Sequence, residues 1–422
     1  MKAVILAGGR GTRIASVCAD LPKPLLPLGG MSVLERQIVT LRGQGIHDFT
    51  IITGYLAEKI EESFGDGSAY GVRISYFQET EPLGTAGALL QMRFEDDFLL
   101  CGGDLVFRFD LGSMMKFHKE KRALATLFAH PNSHPYDSTL IEADADGRVT
   151  GFLPKEAAGK PEYYENLCNA GIQIMSPRLF ENVSIAGKAD LDRDILVPAV
   201  KSGRIFAYRS AEYVKDMGTP ERYARVGRDI AAGLVANGDR KKKRPAVFLD
   251  RDGTVNVYKG LVTSPDMLEL SEGAGEAIRR LNEAGVLVVL ATNQPVIARG
   301  DCTFEELRAI HSKLETLLGA EGAYLDAIYF CPHHPDAGFP GERREFKIVC
   351  DCRKPKPGLL LRAAQEMNID LSRSYMVGDR ETDIEAGRNA GCIPVYIRNE
   401  KYPVPDGCIA YDSLLEFVKD KF

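Results

Sequence analysis

Two carboxylates, Asp250 and Asp252, follow directly on the apolar run Ala246-Val247-Phe248-Leu249 and precede Gly253-Thr254. In extended chain, residues two apart point to the same side, so both acids can face one phosphorus. One carboxylate attacks it to form an aspartyl-phosphate, and the other carboxyl protonates the leaving oxygen. An Asp-rich turn also suits part of a calcium loop, but no EF-hand ligand pattern is completed downstream. Three later segments supply what phosphoryl transfer needs. Leu290-Ala291-Thr292-Asn293-Gln294 ends an apolar run with a hydroxyl and amides, and Arg353-Lys354-Pro355-Lys356-Pro357 brings cations. Val377-Gly378-Asp379 ends another run with a carboxylate, followed by Asp383.

Just before those cations stand two short pairs, Cys331-Pro332-His333 and Cys350-Asp351-Cys352. Three thiolates and one imidazole suit a closed, tetrahedral, structural Zn²⁺ site at Cys331, His333, Cys350 and Cys352, with His334 as a competitor for His333. Such a site pins the intervening loop and fixes Arg353 and Lys354, which follow it. Cys18, Cys101, Cys168, Cys302, Cys392 and Cys408 read as packing residues.

A second chemical constellation opens the chain. The apolar run Ala3-Val4-Ile5-Leu6-Ala7 passes into Gly8-Gly9-Arg10-Gly11-Thr12-Arg13. Glycines after a strand let backbone N–H groups wrap a polyphosphate. A Walker A loop would end in Gly-Lys-Ser/Thr, and a dinucleotide fingerprint would need glycine where Ile14 stands; neither fits. Pro22-Lys23-Pro24 holds a lysine in a stiff, extended frame, and Leu83-Gly84-Thr85-Ala86-Gly87 is a second small-residue turn. Asp104, after Gly102-Gly103, and Asp216, before Met217-Gly218, are two acids able to share a divalent metal.

These residues must sit on elements that bring them together. Phe49–Thr53, Arg73–Phe77, Phe98–Cys101, Leu287–Ala291 and Tyr375–Val377 read as strands, whereas Val33–Gly43 and Ala274–Ala284 have helical periodicity. The alternation predicts an α/β chain, with parallel sheets covered by helices on both faces and active sites at the carboxyl ends of strands. A length of 422 residues fits two domains. The break falls at Ala236–Pro245, giving domains 1–236 and 245–422 around the linker 237–244. The basic run Arg240–Arg244 reads as solvated linker rather than a nucleic-acid patch, because nothing basic or aromatic surrounds it. A net charge of −6 argues against a nucleic-acid binder. No apolar stretch reaches the roughly 20 residues of a membrane span. With nine cysteines in no disulfide-like spacing and no leader segment, a cytoplasmic location is expected.

Residues 1–235 resemble the sugar-1-phosphate nucleotidyltransferases, which have a Rossmann-like fold. The resemblance implies that the strand end at Leu6 and the loop Gly8, Gly9, Gly11 and Thr12 wrap a nucleoside triphosphate, with Gly84 and Thr85 beside it. Arg13 and Lys23 would neutralise the reacting phosphate, and Asp104 and Asp216 would hold Mg²⁺. Lys155, Asn169 and Gly171 match segments that grip the sugar phosphate. Gly102-Gly103-Asp104 replaces a commoner Asn-Gly-Asp, and Leu153-Pro154-Lys155-Glu156 replaces a commoner Glu-Lys-Pro, so the detailed sugar contacts differ. Glu79 stands where the family reads the base edge. A carboxylate only accepts hydrogen bonds and guanine offers two adjacent donors, so GTP is the expected nucleotide; a solvated surface acid is the alternative.

Residues 246–390 resemble the haloacid dehalogenase superfamily of phosphatases. That implies Asp250 as nucleophile, Asp252 as general acid/base, Thr292 and Lys354 on the transferring phosphoryl group, and Mg²⁺ on Asp250, Asp379 and the backbone carbonyl of Asp252. The cysteine-rich loop narrows the resemblance to the D-glycero-D-manno-heptose 1,7-bisphosphate phosphatases and the related histidinol-phosphatases, where the first histidine is the zinc ligand. Asn293, Arg299 and Arg353 match substrate positions. Joined, the halves resemble a fused heptose bisphosphate 7-phosphatase and heptose-1-phosphate guanylyltransferase. The alternatives are a mannose-1-phosphate or other hexose-1-phosphate transferase, a histidinol-phosphatase, and a sugar-nucleotide sensor regulating the phosphatase. Sugar phosphates and a nucleoside triphosphate are the expected partners, with a homo-oligomer compatible with the sequence.

Overall fold

A computed structural model describes every residue except 15, 18, 19, 156–158 and 339. Cys18 and Glu156 therefore lie outside the described residues. The chain divides into two compact units: Met1–Ala129 with Ile141–Phe152 and Asn169–Arg240, and Lys241–Phe422 with His130–Leu140 and Leu153–Cys168.

At the centre of the first unit four parallel strands lie in the order Arg73–Gln78, Asp48–Thr53, Ala3–Leu6, Phe98–Gly102. Cys168–Met175 then adds antiparallel to Phe98–Gly102. Ala3, Val4 and Ile5 are fully buried. Such continuous apolar runs are what a parallel strand covered on both faces requires. Helix Val33–Arg42 starts at a capping box, in which Ser32 Oγ accepts from Glu35 N at 3.1 Å and Glu35 Oε2 accepts from Ser32 N at 3.3 Å. It buries Val33, Leu34, Ile38 and Leu41 at helical spacing. Gln37 breaks that apolar stripe for a reason: its Nε2 donates to the carbonyls of Gly102 at 2.8 Å and Leu105 at 2.7 Å. The helix thereby clamps the turn that carries Asp104.

In the second unit six parallel strands run in the order Ala327–Cys331, Leu287–Asn293, Ala246–Leu249, Tyr375–Gly378, Ile393–Ile397, Ile409–Tyr411. Numbered along the chain this is 3-2-1-4-5-6, with the direction of winding reversing between Ala246–Leu249 and Tyr375–Gly378. Ligands of open α/β sheets bind at that reversal, outside the carboxyl ends of the strands. Asp250 and Asp379 are the residues that follow those two strands. Helix Phe304–Ala320, again entered through a capping box at Thr303 and Glu306, receives the two segments drawn from earlier in the chain. Tyr164 N donates to Thr316 Oγ1 at 3.0 Å, and Arg308 pairs with Glu165 at 3.1 Å. The sequence's strands and helices thus appear within about two residues of their expected ends.

Candidate active sites

The second unit gathers Asp250, Asp379 and Asp383 so that one oxygen of each lies within 4.8 Å of the others. Lys354, 2% exposed, bridges two of them, at 2.7 Å from Asp250 Oδ1 and 2.6 Å from Asp383 Oδ1. Burial disfavours the lysine's charge, but the two carboxylates outweigh that and hold its pKa above the ordinary value. One lysine does not balance three acids. Burial, and then the charges of Asp250 and Asp383, push Asp379 up to about 7. Asp379 Oδ1 is buried with no hydrogen-bond partner among the described residues. An orphaned oxygen among clustered carboxylates fits a hard divalent cation such as Mg²⁺.

Asp252 faces elsewhere. Its carboxylate accepts from Gln294 Nε2 at 3.0 Å, from Asn256 Nδ2 at 3.2 Å and from the guanidinium of Arg251. Thr292 Oγ1 accepts from the same Gln294 amide at 3.0 Å, so strand Leu287–Asn293 and the residue that follows it carry the hydroxyl and the anchor of the acid. Asn293 clamps the backbone of Lys354 from both sides, donating to its carbonyl and accepting from its N–H, each at 3.0 Å. Around these residues is a cleft lined in part by Tyr258, Asn293, Arg353, Lys354 and Arg380. The Arg380 guanidinium lies 5.2 Å from the rings of both Tyr258 and Tyr402, a cation–π seat that orients it. Arg299 ends the short helix Val296–Arg299 and its charge is felt at Arg353 and His334.

Gly253 shows how tight this site is. Its φ of +90° is one that side chains rarely adopt, and a Cβ there would stand 2.3 Å from Asp379 Oδ2. Gly253→Ala is expected to displace Asp379 by tenths of an ångström or more. Phosphate release should then fall on the order of 10²-fold with pyrophosphate release unchanged. Steady-state assay of both products in one preparation checks this.

The four residues of the cysteine-rich loop also converge. Cys331, Cys350 and Cys352 hold their sulfurs 3.3 to 3.5 Å apart, and His333 Nδ1 stands 3.4 Å from Cys352 and 3.7 Å from Cys331. A disulfide would need about 2.05 Å, whereas a tetrahedron with metal–sulfur bonds of about 2.3 Å has edges near 3.8 Å. The cluster therefore has the form of a metal site. His334, in contrast, accepts from Asp336 N at 3.2 Å.

In the first unit the glycine loop leaves the end of strand Ala3–Leu6, where Leu6 stands in register with Ile52 on one side and Gly102 on the other, its carbonyl accepting from Gly103 N at 2.9 Å. Arg13 lies in the 3₁₀ turn Thr12–Ile14. Lys23 Nζ stands 3.3 Å from Asp104 Oδ2. Strand Tyr213–Asp216 pairs with Leu105–Arg108, and Met217 N donates to Asp104 O at 3.1 Å, so the ribbon puts the two candidate metal acids side by side in backbone terms. Asp216 also pairs with Arg222 at 3.0 Å. Arg13 reaches the same turn: a Cβ on Gly218 would lie 3.3 Å from its Nη2 and 2.9 Å from Asp216 Oδ1.

Glu79 approaches the glycine loop so closely that a Cβ on Gly8 would stand 2.7 Å from Glu79 Oε2. Burial raises the Glu79 pKa against a hydrogen bond from the Leu83 backbone, and Oε1 is buried without a partner among the described residues. Gly84 and Thr85 pack on the segment Ala189–Leu191, where Thr85 Oγ1 accepts from Leu191 N at 2.7 Å. Asn169 accepts from Gly171 N at 3.2 Å and turns its amide toward Asp192 at 3.3 Å. Burial, with help from Asp190, pushes Asp192 up to about 6. Lys155 is exposed and belongs to the segment grouped with the second unit.

Gln37, Asp192, Arg251 and Arg380 are not singled out by the sequence. Asp383 is noted there after Asp379 without a role of its own; it lies in the first turn of helix Glu381–Ala390.

Comparison with known proteins finds a family for each half of the chain. The nucleotidyl transferase family matches residues 2–233, and the haloacid dehalogenase-like hydrolase family matches residues 137–391. The chain is 45% identical over 177 residues to a D-glycero-beta-D-manno-heptose-1,7-bisphosphate 7-phosphatase of Yersinia pestis, spanning 42% of this chain and 92% of that protein. The enzyme of the same description from Escherichia coli K12 is 41% identical over 181 residues, again 42% of this chain and 92% of that protein. Among solved structures, HddC from Yersinia pseudotuberculosis is 25% identical with a TM-score of 0.46, covering 54% of this chain and 99% of that one. The chain belongs to the nucleotidyl transferase family through its first part and, among haloacid dehalogenase-like hydrolases, to the family of the heptose bisphosphate phosphatases through its second.

Proposed function

We propose that the second half removes the 7-phosphate of D-glycero-D-manno-heptose 1,7-bisphosphate. The first half would then transfer GMP from GTP to the resulting heptose 1-phosphate, releasing pyrophosphate. The observation that carries the reading is the 45% identity across nearly the whole of a heptose bisphosphate 7-phosphatase, joined in one chain to a nucleotidyl transferase. Removing the 7-phosphate leaves a sugar with only its anomeric phosphate, the kind of acceptor a sugar-1-phosphate nucleotidyltransferase consumes. The two reactions are consecutive, with domains at 1–236 and 245–422 in the order opposite to their use.

In the phosphatase reading, Asp250 attacks phosphorus, Asp252 moves the proton, and Thr292 and Lys354 hold the phosphoryl oxygens. Arg353 and Arg380 in the cleft wall suit the second phosphate of a bisphosphate. Mg²⁺ on Asp250, Asp379 and the backbone carbonyl of Asp252, with Asp383 clustered beside the two carboxylates, would neutralise charge on the transferring group. Zn²⁺ on Cys331, His333, Cys350 and Cys352 would be structural, since four protein ligands leave no open position.

In the transferase reading, an oxygen of the sugar 1-phosphate attacks the α-phosphorus in line and pyrophosphate leaves. Arg13 and Lys23 neutralise charge there, and Mg²⁺ on Asp104 and Asp216 would do the same. The partnerless Oε1 of Glu79 supports guanine, because N1–H and N2–H of that base are donors and a carboxylate can only accept. Asn169 and Gly171, with Asp192 beside them, are the proposed sugar contacts. No helix among the described residues is long and apolar enough to cross a membrane; a cytoplasmic location fits the cysteine usage.

The test supplies heptose 1,7-bisphosphate with each nucleoside triphosphate and follows phosphate, pyrophosphate and nucleotide-sugar together. Phosphate should appear with every nucleotide and pyrophosphate chiefly with GTP. Glu79→Gln should narrow the preference for GTP by about tenfold, the loss of one buried charged hydrogen-bond acceptor. Preferred use of ATP or dTTP by the unaltered protein would remove the guanine assignment.

A further inference from the structure

Between the nucleophile and the acid sits Arg251, whose side chain is 0% exposed and among the largest fully buried ones of the described residues. A guanidinium withdrawn from water is costly unless its N–H groups are matched. Here the match is specific. Nη2 donates to both oxygens of Asp252, at 3.0 and 2.9 Å, and Nε donates to Oδ1 at 3.1 Å. Nη1 faces Nε2 of His311 at 3.4 Å. His311 is buried on helix Phe304–Ala320, its ring 5.7 Å from that of Phe330. Burial first, and the Arg251 charge second, push the His311 pKa down to about 3, so its imidazole is neutral and can accept from Nη1. With Asn256 and Gln294 on the same carboxylate, every contact on Asp252 comes from a donor.

We propose that Arg251, backed by His311, is a positioning residue that aims the Asp252 carboxyl at the leaving oxygen and governs only the proton-transfer part of the phosphatase reaction. The inference rests on Asp252 being the acid/base. In the first half-reaction an Asp250 oxygen bonds to phosphorus, the bond from phosphorus to the sugar oxygen breaks, and that oxygen takes its proton from Asp252. In the second, a water oxygen bonds to phosphorus, the bond to Asp250 breaks, and Asp252 takes the proton of that water. A fork of two N–H groups on one carboxylate fixes its plane as well as its place, which a single ammonium does not. A carboxyl that swivels leaves the attack of Asp250 intact but leaves a sugar alkoxide without its proton. A p-nitrophenolate departs without one.

The test is the first-turnover rate of the full chain with two esters, heptose 1,7-bisphosphate and p-nitrophenyl phosphate, in Arg251→Lys, His311→Leu and Asp252→Asn. Positioned general acids contribute about 10²–10⁴-fold. Arg251→Lys should therefore lose on the order of 10²-fold with the sugar ester and less than about threefold in the p-nitrophenol burst. His311→Leu should show the same selectivity, severalfold in size. A burst of p-nitrophenol also reports a folded site in each variant. Equal losses with both esters, or none with either, overturn the proposal while Asp252→Asn remains selective for the sugar ester. If Arg251→Lys gives no burst at all, His311→Leu decides, and an unselective result there overturns it. An unselective Asp252→Asn instead brings down the acid/base assignment itself.

Discussion

Asp250→Asn is expected to cut phosphate release at least about 10³-fold and to leave pyrophosphate release at the parent rate. The amide cannot form the acyl-phosphate, because its oxygen carries no charge to give to phosphorus. It also weakens the grip on a divalent cation that Asp250, Asp379 and Asp383 are placed to share. The substitution should not unfold the site. Lys354 keeps its second partner, Asp383, at 2.6 Å, and Lys354 N and O stay clamped by Asn293. The strand beneath, Ala246–Leu249, is held by its register with Leu287–Asn293 and Tyr375–Gly378 rather than by the carboxylate. Parallel assays of phosphate and pyrophosphate, with the melting curve as control, read the outcome. Phosphate release within tenfold of the parent would take the nucleophile's role from Asp250.

Why the site was partly legible in the sequence follows from how each residue is placed. Asp250, Thr292 and Asp379 sit where apolar runs end, and a parallel sheet brings strand ends together whatever lies between them. Types and positions were therefore enough. Gln37, Arg251 and Asn293 act through contacts with residues far along the chain: Gln37 on Gly102 and Leu105, Arg251 on His311, Asn293 on Lys354. Spacing carries no trace of such contacts. Gln37 looks like a fault in an amphipathic stripe, and Arg251 like a surface cation in a polar turn. Asn293 was expected at the substrate; it lines the cleft, but both ends of its amide are spent on the Lys354 backbone. The basic run Arg240–Arg244 is exposed at its centre, at Lys241, Lys242 and Lys243, and held at its ends. Arg240 donates to Tyr208 Oη at 2.8 Å, and Arg244 N donates to Asn368 O at 3.3 Å, so both ends of a run that reads as solvated are tied down.

With Zn²⁺ on Cys331, His333, Cys350 and Cys352 as proposed, stripping it or changing Cys350→Ser is expected to lower phosphate release on the order of 10²-fold or more without touching pyrophosphate release. Three sulfurs within 3.5 Å of one another cannot all be thiolates without a cation between them. In the metal-free cluster protons shared among the sulfurs relieve that repulsion: hydrogen bonds, foremost from Cys331, hold the Cys352 thiol below its ordinary pKa, and the Cys331 thiol is correspondingly raised. Zn²⁺ would replace the protons and bind all four ligands, with about 10–16 kcal/mol available in small zinc peptides. That energy is spent locally. The core around Val247, Leu249, Val288, Leu290 and Val377 is built from strands the loop does not supply, so the unit should stay folded without metal. What loosens is the route to the lysine. Arg353 Nη1 donates to His333 O at 3.1 Å, and Lys354 follows it directly. Losing the staple frees Arg353 from one side and leaves the backbone of Lys354 to the clamp of Asn293, with Asp250 and Asp383 on its ammonium. Metal analysis, far-ultraviolet circular dichroism and the two product assays separate the possibilities. A zinc-free protein with full phosphatase turnover would show that the lysine holds its place without the metal.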